Sequence, residues 1–152
     1  MSLPVVNLFD QIVSHALASG LFARVNSHEP KNAPGSGITC AIWVQQITPV
    51  APASGLASTS ARLAFTVRIY TSMLSEPQDA IDPEILAAVD TLLGLYSGDF
   101  SLGGYARNVD LLGSFGIPLS AVAGYLNQDG RLMRVMDITL PIIVNDVWDQ
   151  VA

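Results

Sequence analysis

The sequence predicts a single α+β domain over residues 1–152: a mostly antiparallel mixed sheet with two amphipathic helices packed on it. Three observations lead there. Residues 61–73 alternate apolar and polar side chains with the period of two that marks a half-buried strand. Residues 4–19 and 82–98 repeat apolar side chains at helical spacing. The resulting order, helix, strands, helix, strands, lacks the regular β-α-β alternation of a parallel sheet. Half of the 152 residues are hydrophobic, enough for one substantial core.

The first helix is expected over residues 4–19, with Val5, Phe9, Ile12, Val13, Ala16 and Leu17 facing inward and Gly20 as its C-cap. His15 sits among polar neighbours, with no second histidine or carboxylate at ligand spacing. It reads as a surface or boundary histidine rather than a base or metal ligand. Residues 21–26 form a candidate short strand. His28 and Glu29 lead into residues 30–37 (PKNAPGSG), a solvated loop or a subunit rim. The strand 38–47 places Ile38, Cys40, Ile42 and Val44 on one face and Thr39, Trp43 and Gln45 on the other. Trp43, on the less apolar face, either packs under a loop of its own chain or anchors an interface. Residues 48–59 (TPVAPASGLAST) are uncharged and proline-bearing, a candidate extended hairpin arm reaching another protein through residues such as Val50 and Leu56.

In the strand 61–73, Ala61, Leu63, Phe65, Val67, Ile69 and Met73 form the buried face; Arg62, Thr66, Arg68, Tyr70 and Ser72 form the wetter one. Residues 75–83 (SEPQDAIDP) end it. Asp82 as N-cap and Pro83 at the first helical position start the second helix, which turns Ile85, Leu86, Val89, Leu92, Leu93 and Tyr96 inward and stops at Gly98. Residues 99–104 form a turn, 105–112 alternate like a strand, and 113–118 (GSFGIP) break it. Residues 119–126 and 131–144 then pair as a hairpin about 127–130 (NQDG). In its second strand Leu132, Met136, Ile138, Leu140 and Ile142 share a face interrupted by Arg134, and Pro141 puts that end at an edge or bulge. The tail 145–152 carries Trp148, as a latch onto its own domain or a hook for a neighbour.

The formal charge of −6, with six arginines and one lysine, disfavours nucleic acid as a partner. The single cysteine, Cys40, excludes an intramolecular disulfide framework and a cysteine-only zinc site, and fits a small buried hydrophobe. The start has no basic signal region, and no apolar run approaches the roughly 20 residues a membrane helix requires, so a soluble protein of a reducing cytoplasm is expected. High hydropathy with few charges implies that other chains cover some apolar surface. No nucleophile elbow, HExxH, P-loop or GxGxxG occurs. Asp79, Asp82 and Glu84 are the densest acids, but helix capping explains them better than calcium. Arg62 and Arg68 suit pairing with acids of the same sheet or an adjoining subunit better than phosphate. Neither an enzyme, a metal nor a cofactor is expected.

Residues 61–100 (ARLAFTVRIYTSMLSEPQDAIDPEILAAVDTLLGLYSGDF) and 106–148 (ARNVDLLGSFGIPLSAVAGYLNQDGRLMRVMDITLPIIVNDVW) resemble small tail terminator, or tail completion, proteins of long-tailed double-stranded DNA bacteriophages. With the N-terminal helix, the resemblance spans nearly the whole chain. It implies an α+β subunit, made in the host cytoplasm, that closes into a ring, typically six-fold, at the head-tail junction of the virion. Such a ring caps the tail tube, stops addition of the major tail protein and offers its other face to the head connector, while DNA passes through the lumen without specific binding. Candidate subunit or tube contacts are Trp43, Val50, Leu56, Arg62, Arg68 and Trp148, with the loop 30–37. Two alternatives stay open: another virion joint (a head-closure, adaptor or minor tail protein), and a small-ligand α+β domain with its pocket between helix and sheet.

Overall fold

Strand β3 (Ser58–Ser72) is the axis of the molecule, because its alternating pattern gives it one wholly apolar face. Ala61, Leu63, Phe65, Val67 and Ile69 are all fully buried on that face. The computed structural model describes residues 3–22, 24–26, 38–72, 81–128 and 130–151. Within them two helices, α1 (Val5–Ser19) and α2 (Ile81–Gly98), lie on one face of a six-stranded sheet. The other strands are β1 (Arg24–Asn26), β2 (Thr39–Pro49), β4 (Asn108–Val109), β5 (Ser120–Gln128) and β6 (Arg131–Asp149). The order is β1-β2-β3-β6, with β5 and β4 both paired to β6 beyond it. Only the β1–β2 pair is parallel, so the sheet is mixed and mostly antiparallel, an α+β fold.

An aromatic contact seats α1 on β3, and a hydrogen bond ties α2 to α1. Phe9 meets Phe65 edge to face at 5.4 Å, and the buried Tyr96 hydroxyl donates to the Ile12 carbonyl at 3.5 Å. Helix α1 ends where expected: Gly20 adopts a left-handed conformation (φ 69°) and its amide reaches the Leu17 carbonyl. The inner stripes match the sequence expectation except at their margins. In α1 the buried residues are Leu8, Ile12 and Ala16, while Leu17 is exposed; in α2 Ile81 and Ala88 join the core, while Leu86 is exposed. A small residue in the core permits close approach, which lets Ala88 take an inward place that hydropathy alone awards to a leucine.

Five further expectations are corrected. Asp82 lies inside the first turn of α2, not before it, and its carboxylate accepts from Arg134 Nε at 3.0 Å. Tyr70, assigned to the wetter face, is buried in a second cluster with Ala41, Met133 and Val135. Of residues 105–112 only Asn108–Val109 pair, because turns on both sides leave room for a two-residue bridge to Ile142 and Ile143. Residues 145–149 are not a tail: β6 continues to Asp149, with Trp148 opposite Thr59. Pro141 sits in an interior strand. Its carbonyl accepts the Asp110 amide, so its missing N–H faces the gap where the neighbour of β6 changes from β5 to β4. Met73, His28, Glu29, the loop 30–37, Asp79 and Asp129 of the NQDG turn lie outside the described residues.

Candidate protein interface

The sheet face away from the helices carries two of the sequence candidates side by side. Arg68 stands directly opposite Asp137 on β6 and diagonal to Trp43 on β2. Its Nε donates to Asp137 Oδ1 at 2.7 Å and its Nη2 to Oδ2 at 3.1 Å, a two-pronged pair. The same guanidinium lies 5.1 Å from the Trp43 ring, whose indole N–H donates to Gln45 Oε1 at 3.2 Å. Arg68 therefore pairs with an acid of its own sheet, and Trp43 packs against its own chain under that guanidinium and the Ala41–Tyr70 cluster.

Arg62 is engaged elsewhere. Its Nη1 donates to the Phe115 carbonyl at 2.8 Å, holding residues 113–116 against the sheet. That loop is organised by Asp110, which is buried and accepts the Ser114 and Phe115 amides at 2.7 and 2.9 Å. Gly113 is required there: its φ is 78°, and an added Cβ would meet Pro118 N at 3.1 Å. Beside the loop an open cleft of about 500 Å³ is lined by Phe100, Val109, Leu111 and Leu112, with Arg107 and Asp110 at its rim. Arg107 is already turned to Asn145 Oδ1 and the Phe115 ring, and the exposed Ser114 also lines the cleft.

Residues 48–59 divide into three parts. Thr48 and Pro49 finish β2, Ala51–Ala53 make one 3-10 turn, and β3 begins at Ser58. The Ser54 hydroxyl donates to the Val50 carbonyl and accepts the Ser60 amide; Val50 N donates to Ser60 O. These bonds fold the segment back on the sheet and bury Val50, so of the two residues named there Leu56 alone, 98% exposed, is presented to solvent. A bulge fastens this end to β6. Asp146, at φ 53°, donates its amide to Ser60 Oγ and accepts from the Ser58 hydroxyl at 2.6 Å. Gln150 N donates to Ala57 O at 2.7 Å. Leu56, Trp148 and Val151 thus gather at one end of the sheet as exposed apolar side chains, beside Asp146 and Asp149. Val151 carries no sequence signal of its own; reading β6 through residue 149 would have placed it there.

The one histidine among the described residues is bonded to a carboxylate. His15 Nε2 bonds Asp99 Oδ2 at 2.8 Å, and its ring meets Tyr96 edge to face at 5.9 Å. Partial burial pushes the Asp99 carboxyl up. The His15 hydrogen bond, the Gly103 amide and the His15 charge outweigh it and hold the group below its usual range. Cys40 is buried, and desolvation pushes its thiol up to about 12, which makes it unreactive in the folded chain. Among the described residues no three His, Cys, Asp or Glu side chains are grouped to hold a metal, and no helix is long and apolar enough to cross a membrane.

No protein-family model matches the chain, and no curated protein does. Among solved structures it is similar to a chain of an extracellular contractile injection system, the PVC sheath/tube terminator in its extended state. That match has 10% identity and a TM-score of 0.40, and covers all of this chain and 62% of the other. The chain thus spans about three-fifths of that protein's length. It is also similar to a chain of the virion of a native gene transfer agent particle, at 13% identity over 90% of each chain and a TM-score of 0.37.

Proposed function

We propose that this chain is a structural virion subunit that forms a ring on the end of a tail tube, stops further tube growth and joins the tail to the head connector. The observation that carries the reading is the kind of surface the fold leaves free. Four arginines, Arg62, Arg68, Arg107 and Arg134, direct their guanidinium groups to partners within the chain. What remains at the β2–β3 turn is an apolar group, Leu56, Trp148 and Val151, flanked by acids. Such a patch suits docking onto protein. The net charge of −6 suits a wall past which DNA slides without adhering. The resemblance of residues 61–100 and 106–148 to tail terminator proteins supports the same role, with self, the major tail tube protein and the head connector as partners and the virion tail as location.

Sedimentation with preformed tail tubes tests the proposal. The chain should pellet with the tubes in an amount set by the number of tube ends. Shearing the same mass of tube into shorter pieces should raise binding in proportion. Binding that follows tube mass instead, or no binding, would refute end-capping. A head-closure or adaptor subunit, the second reading among virion joints, would ignore isolated tubes.

A further inference from the structure

We infer that copies of this chain join edge to edge, the open edge of β5 in one copy adding to the open edge of β2 in the next. Among the described residues β5 pairs with β6 alone, so its nine residues carry one unpaired row of backbone donors and acceptors. At the other side of the sheet β1 covers three of the eleven residues of β2 and leaves the stretch from Ile42 to Pro49 open among the described residues. The two open stretches therefore match in length to within one residue. Exposed edges of monomeric proteins are commonly guarded by charges. Here the edge strands supply none: no charged residue occurs from Ile38 to Ala61 or from Leu111 to Gln128, although 13% of the chain is charged. Arg134 of β6 does lie over β5, its guanidinium 4.6 Å from the Tyr125 ring and bonded to the Gly124 carbonyl, where Asp82 also holds it. Depletion of charge is a mark of surfaces buried between subunits. Large apolar side chains flank both edges in solvent, Val122 on β5 (68% exposed) and Ile47 on β2 (47% exposed).

Strand direction selects the pairing. β2 runs antiparallel to β3, and β3 to β6, so β2 and β6 point the same way; β5 is antiparallel to β6 and hence to β2. A second copy in the same orientation thus presents an antiparallel partner, and repetition uses up both of these edges when the ring closes. A two-fold β5–β5 contact would leave the β2 edge open. The bulge between Val44 and Gln46 interrupts the β2 edge once, and Pro49 ends it. Closure into a ring rests on the function proposed above; the contact itself rests on the two edges.

The test uses the full chain and two edge variants, Val122→Lys and Ile47→Lys, with Leu86→Lys on the outside of α2 as control. Native mass is measured up to about 1 mM subunit, where even millimolar contacts register. The wild type and Leu86→Lys should form multimers, and each edge variant should stay at the monomer mass of 16.1 kDa. An equal mixture of the two edge variants should give a dimer and nothing larger, because one intact β2 edge and one intact β5 edge remain. Circular dichroism and melting establish that each variant is folded; if Val122→Lys is not, Ala123→Lys at the same edge replaces it. Three results overturn the inference: a wild type monomeric throughout, edge variants that assemble like the wild type, or an Ile47→Lys protein that still dimerises while Val122→Lys does not. The sedimentation experiment on wild-type chain reports on tube capping independently, so an error in the edge assignment and an error in the function are separately visible.

Discussion

Arg68 is held by Asp137 and Trp43 within its own sheet, and this sets what a charge reversal there does. Arg68→Glu places two carboxylates opposite each other on β3 and β6. It should destabilise the monomer by about 1–2 kcal/mol, read as a lower denaturant midpoint. The swapped pair Arg68→Asp with Asp137→Arg should recover most of that loss; no recovery would mean that the arginine acts through packing alone. Asp99 gives a pH dependence whose sign follows from its lowered pKa. A carboxylate held below its unfolded value contributes stability that is fully present above about pH 4 and is lost as the pH falls through its folded value. Asp99→Asn should therefore melt lower than wild type at about pH 6, with the difference shrinking toward about pH 3. A pH-independent difference would assign the effect to something other than the Asp99 charge. The Arg68 partnership was half legible in the sequence, since its face and sign favour an acid of the same sheet. The His15–Asp99 bond was not, because 84 residues separate the partners and only the packing of α1 beside the end of α2 brings them together.

The strands were the most legible elements, since period two is hard to produce by chance over a run as long as β3. The helical stripes were largely legible: Ile12 and Ala16 in α1 and Ile85, Val89, Leu92 and Tyr96 in α2 are buried as expected, while Leu17 and Leu86, equally apolar, lie at the stripe margins and face solvent. The continuation of β6 past Asn145 was hidden because a bulge at Asp146 breaks the alternation there. Turn chemistry also hid Asp110, whose bonds run to amides four and five residues on. Asp110→Ala removes both acceptors and should cost about 1.5–3 kcal/mol, with faster hydrogen exchange at the Ser114 and Phe115 amides. Unchanged exchange there would show that Arg62 holds the loop alone. At the β2–β3 turn, deleting residues 50–56 would remove the buried Val50 along with the exposed tip. Leu56→Asp is the cleaner probe. It should leave stability within about 0.5 kcal/mol and abolish sedimentation with tubes. Undiminished binding would move the tube contact away from this turn.

At the scale of the whole molecule, the sheet is covered by helices on one face and tied by Arg68–Asp137 on the other, and the strands that border it among the described residues, β2 and β5, hold no charged residue of their own. The sequence showed this only in part. Its patterns reveal which residues alternate, but the order β1-β2-β3-β6, the source of both edges, is a product of long-range pairing that no local period records. The excess of apolar residues over charges pointed to surface covered by other chains; Leu56, Trp148, Val122 and Ile47 are exposed apolar side chains, and the proposed contacts draw on them. Native mass across a concentration series, with and without preformed tail tubes, tests the central claim most directly. The account predicts a discrete ring, a whole multiple of the 16.1 kDa subunit, formed either by the free chain or on tube ends. A strict monomer or dimer at every concentration, indifferent to tubes, would contradict it.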